Sequence, residues 1–143
     1  MPVARRCMKV DNCGRIDINQ GEHSMGLQRL HVAARYSEAA IFNGVVYLAG
    51  MVPECKAVDI RSQTADVLAQ VDLRLKEAGS NKACILRAQI FLADIKDIAA
   101  MNEVWDVWVG VGSAPPRATV QAALSDPDYR IEIVVTAAQS AMA

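Results

Sequence analysis

A chain of 143 residues, of which 52% are apolar and 22% charged, is long enough for one domain with a single hydrophobic core. The net charge is −1 and no half of the chain is strongly basic, which argues against a nucleic-acid-binding protein. No apolar run approaches the ~18 residues that a membrane span needs, and no apolar stretch follows Arg5 and Arg6 as it would in a signal peptide.

Cysteine and histidine usage bounds the chemistry. Four cysteines are spread along the chain without a C-x-x-C pair: Cys7, Cys13, Cys55 and Cys84. We expect reduced thiols in a cytoplasmic protein. His23 and His31 are not accompanied by a second group of ligands, and the chain has no glycine-rich nucleotide loop and no G-x-S-x-G motif. We therefore expect neither a metal nor a cofactor.

Residues 1–27 are polar and have no sustained hydrophobic period, which predicts a flexible N-terminal extension; Met25 is an alternative start. The folded domain is expected over residues 28–143. Two apolar runs, Ala39–Phe42 and Val45–Val52, are separated by Asn43-Gly44. That dipeptide accepts the positive φ angles of a type I′ turn, so a β-hairpin is predicted, with Pro53 ending its second strand.

A helix over Ile60–Ala78 follows, with Asp59 as its N-cap and Gly79 just beyond its end. Ile85–Leu92 is predicted to be a third strand. A second helix is expected over Ile98–Val109, with Asp94 or Asp97 as its cap. Its apolar stripe consists of Ile98, Met101, Trp105 and Trp108.

Two final strands are predicted over Arg117–Leu124 and Arg130–Ala137, joined by a turn around Pro127. The order ββαβαββ indicates a two-layer α+β sandwich with both helices on one face of a mixed sheet. The strands over Val45–Val52 and Ile131–Ala137 are apolar on both faces, and two helices cover only one face. We therefore expect the other face to be covered by self-association.

Polar side chains inside the last two strands are the candidates for a site. Alternation places Arg117, Thr119 and Gln121 on one face, and Glu132 lies between two isoleucines. A guanidinium binds a planar carboxylate with two parallel hydrogen bonds, and a carboxylate can orient water or accept a proton. The alternative is an Arg117–Glu132 structural ion pair, or two charges on a solvated edge. Tyr36 and Asn102 could line a pocket or simply pack.

Three stretches resemble the Rid (YjgF- and RutC-like) family. NGVVYLAGMVP is similar to its hairpin, QTADVLAQVDLRLKEAGSNKACILRAQIFLADIKDIAAMNEVWDVWVG to its two helices and middle strand, and APPRATVQAAL to its P-x-R-S/T-x-V signature. The match covers about residues 34–137. The resemblance implies a chorismate-mutase-like fold and a homotrimer around a central β-barrel, with three clefts between subunits. It also implies hydrolytic deamination of 2-imino or 2-enamino acids.

The resemblance assigns roles to six residues. Arg117 corresponds to the carboxylate-binding arginine and Glu132 to an acidic residue that positions or activates water. The remaining four correspond to pocket positions: Tyr36, Gly50, Asn102 and Thr119. Departures from the family pattern are Ala49 for a serine, Met51 for a glutamine, Thr119 for a frequent cysteine and Val134 for a second glutamate.

Two other functions compete with deamination. A non-catalytic protein that binds small carboxylates such as 2-keto acids, and so regulates a partner enzyme, would use the same arginine. An RNA-directed translation inhibitor or endoribonuclease is disfavoured because the chain lacks a basic stripe with interleaved aromatic residues.

Overall fold

The computed structural model describes residues 26–56 and 59–140. Its elements are six strands and two α-helices, with 3₁₀ turns at Lys82–Cys84 and Ile95–Asp97: β1 (Gln28–Val32), β2 (Ser37–Phe42), β3 (Val45–Leu48), α1 (Ile60–Glu77), β4 (Ile85–Leu92), α2 (Ile98–Val109), β5 (Arg117–Gln121) and β6 (Ile131–Ala138). In the described part of the chain, no helix is long and apolar enough to cross a membrane. The predicted extension and the cysteines Cys7 and Cys13 lie outside the described residues.

The strands form one mixed sheet in the order β1-β2-β3-β6-β4-β5. Every neighbouring pair is antiparallel except β4 and β5, which are parallel. The predicted hairpin is confirmed, since Phe42 pairs with Val45 and both turn residues, Asn43 and Gly44, have positive φ angles of 49° and 75°. Those angles are the ones a type I′ turn requires.

Both ends of α1 follow from its flanking residues. The Asp59 side chain accepts a hydrogen bond from the Ser62 N–H at 3.0 Å, as an N-cap does. At the other end the Gly79 N–H donates to Lys76 O and the Ser80 N–H to Leu75 O, at 3.1 and 2.8 Å. Gly79 has φ +73°, so the helix closes in a Schellman motif.

Both helices pack on the same face of the sheet, and the core lies between the two layers. Burial alternates along β6, where Ile131, Ile133, Val135 and Ala137 are buried and the residues between them are half-buried. We call the second face, which carries those half-buried residues, the open face. No helix of the described residues covers it, and Phe42, Tyr47 and Val120 lie on it with about half of their surface exposed. The α+β sandwich is thus confirmed, and one sheet face is left without a cover in the single chain.

The structure corrects three details of the predicted order. It adds strand β1 at the edge of the sheet, which was not predicted because only Leu30 of its five residues is even half-buried. The strand predicted over Val45–Val52 ends at Leu48, and only Met51 pairs again, with Ile133. The strand predicted over Arg117–Leu124 ends at Gln121.

A buried glutamine fastens the loops before α1 and before β6. Gln63 is fully buried, and its Nε2 donates to Lys56 O and to Asp128 O, each at 2.9 Å. Its Oε1 accepts from the Arg130 N–H at 2.8 Å. One side chain thereby satisfies three backbone groups from two loops, and it fixes the entrance of the strand that carries Glu132.

Candidate active site

Arg117 stands at the start of β5, on the edge of the sheet. The carbonyl of Pro116, just before it, accepts a hydrogen bond from the Ala88 N–H at 3.0 Å and so fixes where the strand begins. Arg117 is in register with Ala88, which is buried under the helices. The arginine side chain therefore projects to the helix side of the sheet.

Two side chains of α2, one turn apart, meet the Arg117 guanidinium. Nη1 donates to Asn102 Oδ1 at 2.9 Å, and Cζ lies 5.2 Å from the centre of the Trp105 ring. Within the described residues no carboxylate lies within salt-bridge distance of Arg117. Arg61 and Arg130, in contrast, each contact a carboxylate. Arg117 is thus an exposed cation held by neutral groups, with N–H donors left for an anion.

Thr119 lies two residues further along the same face. It is in register with the buried Ile90, and its Oγ1 is inaccessible to solvent without a hydrogen-bond partner among the described residues. We call Arg117, Asn102, Trp105 and Thr119 the arginine cluster.

Glu132 is on β6, half-buried, with its carboxylate against Gly50. A Cβ placed on Gly50 would lie 1.9 Å from Glu132 Oε1. Glycine at position 50 therefore lets the acid lie where it does, which is a close-approach role. Glu132 is in register with Phe91 on the open face. We call Glu132 and Gly50 the glutamate cluster.

Tyr36 lies at the same end of the sheet as the glutamate cluster. It directly precedes β2, and its side chain is 62% exposed. The Ala49 N–H donates to Glu38 O at 2.9 Å, so the chain just after Tyr36 runs beside the segment that carries Gly50. The phenol is therefore available for a contact from outside the chain.

The two clusters are on opposite faces of one sheet. β5 and β6 are separated by β4, so the strands lie about 10 Å apart. Arg117 is also level with Ala88, three residues along β4 from Phe91, which is level with Glu132. An Arg117–Glu132 ion pair within one chain, the alternative raised from the sequence, is wrong for this reason.

Trp105 belongs to the apolar stripe of α2 that its spacing predicts. Trp105 is indeed 4% exposed, but its ring also carries the Arg117 guanidinium on its face. The signal was present in the spacing, because Asn102 and Trp105 are three residues apart and therefore neighbours on one helix face.

An apolar groove lies away from both clusters. It has a volume of about 560 Å³, lies between α1 and α2, and is lined by Ala65, Leu68, Ala69, Asp72, Glu103, Val104, Val107 and Trp108. None of the six predicted site residues lines it. Convergent polar groups mark a reactive site better than size does, so we place the chemistry at the two clusters.

The histidine and cysteine residues that the structure describes contribute to neither cluster. His31 Nε2 lies 2.8 Å from Glu77 Oε2, which joins β1 to α1. That hydrogen bond, with Arg74 nearby, holds the pKa of Glu77 below its usual value. Cys55 is exposed and Cys84 half-buried, and both are free. The described residues contain no group of three or more side chains arranged to hold a metal ion.

Comparison with known proteins identifies relatives across nearly all of the described chain. Residues 26–139 match the family model described as endoribonuclease L-PSP. The RutC family protein YoaB of Escherichia coli is 50% identical over 114 residues, which are 80% of this chain and 99% of that protein. A YjgF-family crystal structure from Neisseria meningitidis is 48% identical, covering 84% of this chain and 100% of that one, with a TM-score of 0.81. A YjgF/YER057c/UK114-family structure from Mycobacterium tuberculosis is 27% identical, covers 79% and 99% of the two chains, and has a TM-score of 0.72.

Proposed function

Because the chain belongs to the endoribonuclease L-PSP family, which includes the Rid, RutC and YjgF proteins, we propose that it hydrolyses reactive 2-imino and 2-enamino acids to 2-keto acids and ammonia. The single observation that carries this proposal is the Arg117 guanidinium, which is oriented by two neutral groups and faces no carboxylate among the described residues.

The substrate carboxylate would bind to the free edge of that guanidinium. A bidentate guanidinium–carboxylate contact gives charge and fixed geometry together, and each charge-assisted hydrogen bond contributes about 1.5–3 kcal/mol. Asn102 occupies one N–H group and leaves other donors for the ligand. Thr119, two residues further along the same face of β5, would pack beside the bound ligand.

Glu132 would position the attacking water and accept a proton from it. Water adds to C2 of the imine while one of its protons passes to the carboxylate. The imine nitrogen takes up a proton from solvent as the water adds, so the product is a neutral carbinolamine. Glu132 then returns its proton to that nitrogen. The C–N bond breaks as the carbinolamine hydroxyl gives up its proton to the departing ammonia. A C=O bond remains at C2, so the products are a 2-keto acid and ammonia. The reaction needs no covalent nucleophile, since the imine carbon is already electrophilic and placing water against it lowers the barrier.

The two clusters can cooperate only if they come from different copies of the chain. Arg117 is at an edge strand on the helix side, and Glu132 is on the open face of β6. The open face also exposes large apolar side chains such as Tyr47 and Val120, which is typical of a surface that another copy of the chain covers. We therefore propose a homotrimer in which a cleft between subunits joins the arginine cluster of one to the glutamate cluster of the next.

The departures from the family pattern differ in what they change. Met51 is buried and bridges to Ile133, so this substitution alters the core next to the site. Ala49 removes a hydroxyl beside Gly50. Val134, half-buried on the same strand and face as Glu132, puts an apolar side chain where a second acid is familiar. These changes favour a substrate with an apolar side chain over a polar one.

The test follows ammonia and pyruvate release from 2-iminopropanoate generated in situ, with semicarbazide as a trap for free imine. We expect the protein to accelerate release and the substitution Arg117→Ala to abolish the acceleration. Arg61→Ala is the matched control, because Arg61 is also exposed but pairs with Glu103 on the outside of the helices. Binding of 2-keto acids without any acceleration would show a carboxylate-binding regulatory protein instead.

A further inference from the structure

The plane of the Arg117 guanidinium is set by α2. Asn102 accepts from Nη1 and Trp105 lies under Cζ, and the two residues are one helical turn apart. A hydrogen bond at the edge and an aromatic ring at the face together restrict both the position and the tilt of the group. A salt bridge would hold the guanidinium as firmly, but it would neutralise the charge.

The Trp105 ring is itself held in place. It is 4% exposed, and its centre lies 5.3 Å from that of the Trp108 ring at an interplanar angle of 50°. Trp108 Nε1 donates to Asp72 Oδ2 on α1 at 2.9 Å. Because Trp108 is anchored to the first helix, it gives Trp105 a fixed neighbour, and the face presented to Arg117 does not depend on α2 alone.

We propose that Trp105 is a positioning residue for substrate binding: it fixes the Arg117 guanidinium in the plane required by a bidentate carboxylate without neutralising its charge. The inference rests on the proposed function, because it assigns a role at the same site. Trp105 is buried and does not touch the substrate. Its effect therefore reaches the reaction only through the arginine.

Removing the ring is expected to weaken carboxylate binding while the water step is unchanged. The contact exists with and without ligand, so only the freedom that the guanidinium gains lowers affinity, and the loss is expected within the about 3- to 30-fold that a whole cation–π contact is worth. Trp105→Phe keeps a ring with a weaker attraction for cations, so its loss of carboxylate affinity should lie at the low end of that range. Trp105→Leu removes the ring and lies at the high end. In both, KM rises and kcat stays close to the wild-type value.

The experiment titrates 2-oxobutanoate into wild-type protein and the two variants by calorimetry, and measures KM and kcat with 2-iminobutanoate. Val107→Ala is the matched control, because Val107 is on the same helix but 84% exposed and outside the arginine cluster. Circular dichroism and thermal unfolding of each variant check the fold. Trp105→Phe keeps the test valid if Trp105→Leu does not fold.

A double-mutant cycle separates positioning from packing. In an Arg117→Ala background, Trp105→Phe should have no further effect on 2-oxobutanoate affinity, since the group it positions is absent. A loss of equal size in both backgrounds would overturn the inference, as would wild-type affinity in Trp105→Phe and Trp105→Leu. If the wild-type protein neither binds 2-oxobutanoate nor accelerates the reaction, the proposed function fails, and the role of Trp105 fails with it.

Discussion

Gly50→Ala is expected to reduce the reaction without unfolding the protein. The added Cβ would lie 1.9 Å from Glu132 Oε1, and Cβ contacts under 3.0 Å are essentially never found, so the oxygen must retreat by about 1.1 Å. A misplacement of about 1 Å at a reacting group can cost about 10²-fold in rate. The oxygen is at the end of a flexible side chain that is already half-buried, so the carboxylate can turn away at little cost in stability.

The assay is kcat for 2-iminopropanoate, together with the urea midpoint of unfolding. We expect kcat to fall by about 10²-fold and the free energy of unfolding to change by less than about 1 kcal/mol, because replacing glycine also lowers the entropy of the unfolded chain. Combining Gly50→Ala with Glu132→Gln should cost little more than either alone, since both act through one carboxylate. Full activity in Gly50→Ala would refute the proposal that the Glu132 carboxylate positions and activates the attacking water.

Two further predictions concern stability. Gln63→Leu should destabilise the fold by about 2–4 kcal/mol in urea, because three backbone groups lose their partner, and a change below about 0.5 kcal/mol would contradict this. The Ser62 N–H that caps onto Asp59 lowers the pKa of that carboxyl, so its stabilisation is present at neutral pH and is lost as the pH falls below about 4. Asp59→Ala should therefore lower the melting temperature at pH 7 and much less at pH 3. Asp59→Asn keeps a capping side chain, so at both pH values its melting temperature should be at least that of a protein in which Asp59 is protonated.

Local signals in the sequence predicted most of the fold. Asn43-Gly44 specifies its turn through backbone conformation, and Asp59 and Gly79 mark the two ends of α1 through capping. These devices act over four or five residues, and a single chain displays them directly. Strand β1 carries no such signal, because it pairs at an edge and buries almost nothing. It forms only by pairing with β2, in a register that reaches from Val32 with Ser37 to Gln28 with Ile41.

The sequence proposes the residues of the candidate site but not their arrangement. Arg117 and Glu132 were selected because charged side chains inside apolar strands need a partner, and alternation gave each a face. The sheet face to which each side chain points depends on the order of the strands in the sheet. That order includes the parallel pairing of β4 with β5, which is a long-range contact and has no local signal in the sequence. The alternation of side chains along each strand therefore could not exclude an Arg117–Glu132 ion pair. The register of β4, β5 and β6 was needed to exclude it.

The role of Glu132 and the subunit origin of the cleft can be tested in one mixing experiment. The substitutions Arg117→Ala and Glu132→Gln each remove one half of the proposed site, so each protein alone should show little or no imine hydrolysis. When they are unfolded together in equal amounts and refolded, the proposed homotrimer should assemble as mixed oligomers. In a symmetric ring, about a quarter of the clefts then receive Arg117 from one copy and Glu132 from the next. We predict recovery of about a quarter of wild-type imine hydrolysis in the mixture. No recovery in verified mixed oligomers would contradict a site shared between two copies.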